Sequence, residues 1–219
     1  DSVALYAEAF IREHRKLGVF TSLKHFPGHG SSMNDTHLDM TDITSTWAEQ
    51  ELTPYIKLIQ NGMVDAVMTA HIVNARLDQD KLPATLSPRI IDGLLRKQLK
   101  FDGVVFSDDM QMHAISKHYT FEESIKLAIF AGVDILCFTN NIQGSQERTV
   151  DKVHGIIRKF VQDGTLPASR IDESFRRIMT LKQRLGGNAE TYYKSELVRL
   201  QEQLAEKERL LQLNQEKVK

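Results

Sequence analysis

The chain has 219 residues, 41% of them hydrophobic and 26% charged, which predicts a folded domain with a sizeable core. A formal net charge of -1 and the lack of a Lys/Arg-rich block argue against partners such as nucleic acids or anionic membranes. The single cysteine, Cys137, excludes an intramolecular disulfide, and its apolar neighbours predict a buried, inert thiol. No apolar stretch reaches the ~20 residues that span a bilayer.

The N-terminus begins inside a predicted helix, without Met and without a signal-peptide pattern. We therefore expect that an upstream segment is missing. The compartment stays open between cytoplasmic and exported.

Helix and strand patterns alternate along most of the chain. Apolar residues at helical spacing predict helices over 2–17, 47–60, 87–99, 121–130, 146–162 and 169–185. Short apolar runs predict strands over 19–23, 63–70, 103–106 and 134–138. This alternation is typical of an α/β fold with a parallel sheet covered by helices, as a barrel or an open sheet.

Polar, reactive residues follow the end of every predicted strand. They are Lys24 and His25, His71, Asp108 and Asp109, and Thr139 and Asn140. Because parallel α/β folds build their sites at the carboxyl ends of their strands, these residues are expected to share one site.

Asp108 is the strongest candidate for a catalytic carboxylate. It leaves a buried strand next to a second acid, Asp109, and both features tune the ionisation of a carboxyl group. The structural alternative is that Ser107 or either aspartate caps the following helix.

The loop from Lys24 to His37 combines three histidines with glycine and proline turns. Within it, Asp35-Thr36-His37 places a carboxylate where it can orient an imidazole and raise its basicity. A chance surface pair would give the same pattern.

Several other residues have two readings. Lys24 and His25 would hold the hydroxyls of a sugar-like substrate, although His25 could be a satisfied core histidine. His71 has the same two interpretations, a contact with the substrate or a satisfied core histidine. Met110 is expected at the floor of the substrate pocket, with plain packing as its alternative.

A metal-dependent hydrolase on the same fold is a further alternative, because histidines and Asp108 at the sheet ends could assemble ligands. The sequence has no H-x-H or H-E-x-x-H pattern, and its glycines form no dinucleotide or phosphate motif. We predict no metal and no cofactor.

The C-terminal segment is of a different design. Residues 193–219 are rich in Glu, Lys, Gln and Leu and predict one long helix. Leu197, Leu200, Leu204 and Leu211 fit a short coiled-coil seam, so the helix is either solvated or a small self-association element.

From Lys24–Gly30 through Asp35-Thr36-His37, the sequence resembles the family 3 glycoside hydrolases, in their β-N-acetylhexosaminidase branch. Four more segments agree in order: Met68–His71, Leu82–Ser87, Phe101–Met110 and Ala131–Asp134. The resemblance covers approximately residues 1–185.

The resemblance implies a TIM-type (β/α)8 barrel that removes terminal β-linked N-acetylglucosamine with retention of configuration, from a peptidoglycan fragment or a chitin oligomer. It implies Asp108 as nucleophile and His37, paired with Asp35, as acid/base. Lys24 and His25 fall on the family's sugar-binding lysine and histidine. Some relatives with this dyad transfer the sugar to phosphate, so a phosphorylase is an alternative.

Family members also carry upstream barrel strands, and nothing in this sequence matches them. We therefore expect residues 1–187 to be roughly the C-terminal half of the barrel domain and residues 188–219 to be a helical tail. The rival hypothesis outside the enzymes is an inactive half-barrel, with exposed strand edges and a tail that serves assembly.

Overall fold

A computed structural model of the chain describes residues 2–33, 39–139 and 149–184, and six single positions in the tail: Val198, Gln201, Leu204, Ala205, Lys207 and Arg209. The chain divides into two compact units, Asp1–Leu181 and Lys182–Lys219. The six described tail positions are helical. The domain boundary at residue 187 and the leucine seam stay predictions, since most of those leucines lie outside the described residues.

Two parallel sheets form in the described part of the first unit. Their strands are β1 (Ser22–Phe26), β2 (Thr41–Asp42), β3 (Ala66–Thr69), β4 (Ile72–Val73), β5 (Val104–Asp109) and β6 (Ile135–Cys137). The main sheet has the order β1-β3-β5-β6, and every neighbouring pair is parallel. The predicted α/β class with a parallel sheet is confirmed.

Helices connect these strands. They are α1 (Ser2–Lys16), α2 (Thr53–Gln60), α3 (His113–Ser116), α4 (Phe121–Ala131), α5 (Thr149–Gln162) and α6, over residues 168–184. Residues Arg89–Gln98 form a π-helix, and short 3-10 turns cover Glu49–Leu52 and Ala84–Leu86. Among the described helices, none has the length and apolar character needed to cross a membrane.

The main core lies between the sheet and these helices. Val67 of β3 and Val105 of β5 are fully buried, together with Ile91 of the π-helix and Ala128 of α4. Packing is tight where α4 ends, because a Cβ on Gly132 would lie 2.9 Å from Cγ2 of Ile91. For these core elements, the apolar spacing of the sequence therefore marks the buried faces correctly.

Aspartates that precede two strands tie the amino ends of the sheet together. Asp65, before β3, accepts a hydrogen bond from the Thr21 N–H at 3.2 Å and forms an ion pair with Arg15 at 2.7 Å. Asp134, before β6, accepts from the Val105 N–H at 3.0 Å and pairs with Arg96 at 2.8 Å. These bonds fix the strand register at the end opposite the strands' carboxyl termini.

The predicted first strand is displaced by three residues. The prediction followed the apolar run over 19–23, but pairing with β3 begins at Ser22, opposite Ala66. Lys24 and His25 therefore lie within β1, rather than after it. Asp108 and Asp109 are likewise the last two residues of β5.

The first helix buries less than its sequence pattern indicates. Only Ala4 and Ile11 of α1 are buried, while Val3, Leu5, Tyr6 and Phe10 are each at least 60% exposed. Within the described residues, α1 packs against α2, and these four exposed apolar side chains stay largely uncovered.

Candidate active site

The loop after β1 is held in shape by two contacts from distant residues. The Trp47 indole donates a hydrogen bond to the Pro27 carbonyl at 3.1 Å, and the Gly30 N–H donates to the Glu51 carboxylate at 3.1 Å. The Lys24–His25 and Phe26–Pro27 peptide bonds are cis. Because both partners come from the segment before α2, this segment sets the course of the loop.

Gly28 is the tightest point of this loop. Its φ is +118°, and an added Cβ would lie 2.6 Å from Cβ of Glu51. Only glycine combines this backbone conformation with so close an approach. The glycine is therefore required by the fold of the loop, independently of any substrate.

His25 and Asp108 meet at the carboxyl edge of the sheet. The His25 Nε2 lies 3.7 Å from Oδ2 of Asp108, and both side chains remain about a quarter exposed, at 28% and 23%. The His29 ring stands edge-on to that of His25, with centroids 5.9 Å apart. The sheet thus brings together residues that are 83 positions apart in the sequence.

The two adjacent aspartates have different surroundings. Asp109 is used structurally: its carboxylate accepts from the Gln111 N–H at 3.1 Å and from the Thr139 hydroxyl at 2.7 Å. Asp108 accepts one short-range bond, from the Asp109 N–H at 2.8 Å, and its other oxygen faces His25. This asymmetry leaves Asp108 as the carboxylate that is free to meet a ligand.

His71 and Met110 lie behind this edge. His71 is 1% exposed and Met110 is 3% exposed. The ring nitrogens of His71 lie 2.9 Å from the Thr85 hydroxyl and 2.9 Å from the Asp109 carbonyl oxygen. Direct contacts of His71 and Met110 with substrate stay predictions.

Burial controls the protonation of both site histidines. It lowers the pKa of His25 below the ordinary value, and the charge of Asp108 only partly opposes it. Lys24 and the histidines His29 and His71 lower it further. Burial also lowers the pKa of His71, against the hydrogen bond to Asp109 and the nearby carboxylates. Both rings are therefore neutral at neutral pH.

A groove of about 860 Å³ opens onto these residues. Its polar end is formed by Lys24, His25, His29, Glu51 and Asp108. Its apolar lining includes Leu23 of β1 and Val3 and Ala7 of α1. The polar end has the donors and the carboxylate that a polyhydroxylated ligand needs.

The predicted dyad of Asp35 and His37 lies outside the described residues, as does Asn140. Asp39, just beyond that gap, bonds to His118 at 2.7 Å, and this hydrogen bond, together with that from the Met40 N–H, lowers the pKa of Asp39 to about 2. Across the described ranges, no three His, Cys, Asp or Glu side chains are grouped as metal ligands.

Sequence reasoning missed two supporting residues, Glu51 and Thr85. Glu51 is 21 positions from the glycine that it holds, and Thr85 is 14 positions from His71. Thr85 lay within one of the segments that carry the family resemblance, which was the one available signal. Neither spacing corresponds to a known local motif.

Comparisons with known proteins agree with this architecture. The model of the Glycosyl hydrolase family 3 N terminal domain matches residues 1–181. A beta-hexosaminidase from Actinobacillus pleuropneumoniae serotype 3 is 38% identical over 148 residues, which are 66% of this chain and 42% of that protein. The chain thus spans less than half the length of this curated relative.

Solved structures give the same result. A glycoside hydrolase family 3 beta-N-acetylglucosaminidase from Paenibacillus sp. aligns with a TM-score of 0.74 and 37% identity, over 84% of this chain and 34% of that one. Zinc-bound CbsA from Thermotoga neapolitana aligns with a TM-score of 0.70 and 31% identity, over 80% of this chain and 36% of that one. The chain belongs to glycosyl hydrolase family 3, by its match to the N-terminal domain of that family.

Proposed function

We propose that this chain carries the nucleophile and part of the sugar site of a retaining glycoside hydrolase that removes terminal β-linked N-acetylglucosamine. The observation that carries the proposal is the position of Asp108, which ends β5 in the open groove 3.7 Å from His25. Family membership and the activities named for its relatives support the substrate class.

In the first step, an oxygen of Asp108 attacks the anomeric carbon as the bond from that carbon to the leaving oxygen breaks. His37, oriented by Asp35, gives its proton to the leaving oxygen. In the second step His37 takes a proton from water, the water oxygen bonds to the anomeric carbon, and Asp108 is released. The histidine returns to its protonated form, so the cycle is balanced.

An imidazole suits this position because it changes charge near neutral pH. A second carboxylate close to Asp108 would raise the pKa of one member of the pair. The proposed dyad avoids that repulsion while still supplying an acid in one step and a base in the next.

The substrate is held by the polar end of the groove. Lys24 and His25 donate to sugar hydroxyls, and the natural ligand is an N-acetylglucosamine-containing saccharide such as a peptidoglycan fragment or a chitin oligomer. His71 and Met110 lie buried behind this end of the groove. None of these steps requires a metal or a cofactor.

The test is release of nitrophenol from 4-nitrophenyl N-acetyl-β-D-glucosaminide by the 219-residue chain. Asp108→Asn should abolish turnover, whereas Asp92→Asn, which removes a half-exposed carboxylate that does not line the groove, should leave it unchanged. A slow fluorinated substrate should add one sugar mass to the peptide that contains Asp108. Turnover that survives Asp108→Asn would contradict the assignment.

Three further results separate the alternatives. Sugar 1-phosphate formed in phosphate buffer would identify a phosphorylase instead of a hydrolase. Activity lost to a chelator and restored by zinc would favour a metal-dependent mechanism. A folded wild-type chain without turnover would favour the inactive half-barrel.

A further inference from the structure

His71 bridges the ends of β3 and β5, and it is not among the residues that line the groove. It follows β3, and its Nε2 lies 2.9 Å from the carbonyl oxygen of Asp109, the last residue of β5. Its Nδ1 lies 2.9 Å from the Thr85 hydroxyl. Both nitrogens are thus engaged by protein atoms, and the ring is 1% exposed.

The identity of these partners fixes where the proton lies. A carbonyl oxygen can only accept, so Nε2 must carry a hydrogen and donate to Asp109. In the neutral ring, Nδ1 is then an acceptor. The Thr85 hydroxyl donates its one proton to it at 2.9 Å, in preference to the Ala70 carbonyl oxygen, which lies 3.0 Å from the same hydroxyl.

The single hydroxyl proton of Thr85 leaves that oxygen open as an acceptor. The hydroxyl of Thr69, at the end of β3, lies 2.8 Å from the Thr85 oxygen and can donate to it; its other acceptor, the Phe106 carbonyl oxygen, is more distant at 3.3 Å. The three side chains then form one directed series of hydrogen bonds, from Thr69 through Thr85 and His71 to β5. All three are buried, so water does not compete for these bonds.

The series ends beside the proposed nucleophile. The residue whose carbonyl His71 holds, Asp109, donates its own N–H to Oδ1 of Asp108 at 2.8 Å. Movement of the Asp109 main chain would therefore move the donor that orients the Asp108 carboxylate. The Asp109 side chain adds a second restraint through Thr139.

We propose that His71 is a positioning residue which, as the neutral Nε2–H tautomer held by Thr85, fixes the main chain of Asp109 and thereby the orientation of Asp108. The inference rests on the proposed function for the role of Asp108, but the tautomer itself does not depend on turnover. Burial, which lowers the pKa of His71, supports the neutral ring. The charged or titratable groups around it are Asp108, Asp109 and His25.

The first test is the protonation state of the ring. In the full chain labelled with 15N-histidine, the NMR signals absent from His71→Gln identify His71. We expect one protonated nitrogen, Nε2, at about pH 7. A ring protonated at Nδ1 only, or at both nitrogens, would overturn the proposal.

The second test compares two side chains of nearly equal length at position 71. Glutamine keeps an N–H donor near the position of Nε2, whereas methionine has none. We expect His71→Met to lower kcat about tenfold with KM within about twofold, because an unpaired carbonyl disturbs the orientation of Asp108. His71→Gln should restore most of kcat.

Urea unfolding identifies the fraction of each variant that is folded, and the rates are expressed per folded molecule. Equal kcat for the glutamine and methionine variants would contradict the proposal. So would a raised KM with an unchanged kcat, because that result would indicate a direct contact of His71 with substrate.

The third test addresses the donor to Nδ1. Thr85→Val removes the hydroxyl at similar volume, and Thr85→Ser keeps it. In Thr85→Val the 15N resonance of the unprotonated Nδ1 should shift, because this nitrogen loses its hydrogen-bond donor, while Thr85→Ser should keep the wild-type resonance. An unchanged Nδ1 resonance in both variants would overturn the role of Thr85. An inactive wild-type chain would count against the proposed function, and the NMR result would still decide the contact with Asp109.

Discussion

The imidazole of His25 and the carboxylate of Asp108 face each other at 3.7 Å, although β3 lies between the strands that carry them. Strands two apart in a sheet are separated by about 10 Å. Both side chains must therefore extend over the carboxyl end of β3 towards each other. This geometry requires the two residues to project to the same face of the sheet.

Lys24 offers a direct test of the groove as a sugar site. Its side chain lines the polar end, and a charged donor to a ligand hydroxyl contributes about 1.5–3 kcal/mol. Lys24→Met should raise KM for the nitrophenyl glycoside about tenfold or more, with a smaller change in kcat. Lys97→Met removes an exposed lysine paired with Asp92 and serves as the control. Unchanged KM in Lys24→Met would remove this residue from the site.

The two buried histidines predict a pH dependence of stability. The pKa values of His25 and His71 are lowered in the folded chain from the ordinary value of 6.5. Below that value the unfolded chain binds more protons than the folded chain, so the free energy of unfolding falls as the pH falls. The contribution of these two histidines to the free energy of unfolding should be constant above about pH 7 and should decline from about pH 6.5 towards pH 5.

Urea unfolding measured at several pH values checks this sign. In His71→Gln the decline over the same pH range should be shallower, because one of the two groups no longer titrates. A stability that rises as the pH falls through this range would mean that the histidines gain protons on folding, contrary to their burial.

Gly28 and Gly62 allow backbone strain to be separated from steric contact. Both have positive φ, but a Cβ at Gly28 meets Glu51 at 2.6 Å, whereas a Cβ at Gly62 has no neighbour within 4 Å. Gly62→Ala should cost about 1 kcal/mol from its backbone conformation alone. Gly28→Ala should cost about 2–4 kcal/mol in the same urea titration and should also reduce turnover. Equal costs would show that the loop moves away from Glu51 freely.

Sequence reasoning finds the site where local pattern and topology coincide. Asp108 follows a buried apolar run, and a parallel sheet gathers the ends of its strands at one edge. These two facts suffice to place Asp108 near His25 without coordinates. The asymmetry between Asp108 and Asp109 is beyond this reasoning, because it depends on Thr139, which follows the neighbouring strand β6.

Other features have no local signal. Strands β2 and β4 have two residues each, too few for alternation to be detected. The start of β1 is set by pairing with Ala66 and by the bond from Thr21 to Asp65, both of which are long-range. Apolar character alone therefore placed the strand too early.

Asp134 should be among the most sensitive polar positions in the first unit. Its side chain is fully buried and pairs with Arg96 at 2.8 Å, Arg177 at 3.3 Å and Arg170 at 3.5 Å. Asp134→Ala leaves these partly buried cations without their carboxylate, which should cost about 3–5 kcal/mol. Asp102, 62% exposed, also pairs with Arg177, but Asp102→Ala should cost at most about 1 kcal/mol.

Chemical denaturation of both variants gives the comparison. Similar losses of stability would mean that burial of the Asp134 cluster contributes little. Because the cluster lies at the amino ends of the strands, the activity per folded molecule should be unchanged in both variants.

Cys137 should react slowly with thiol reagents while the chain is folded. It is half-buried in β6, and burial raises the pKa of its thiol above 9.0, with the charges of Asp108 and Asp109 acting in the same direction. Since the thiolate is the reactive form, alkylation by iodoacetamide at about pH 7.5 should be much slower than in urea. Its rate in the folded chain should continue to rise at pH values where the unfolded thiol is already fully ionised. Labelling as fast in the folded as in the unfolded chain would show that β6 leaves the thiol open to solvent and away from both aspartates.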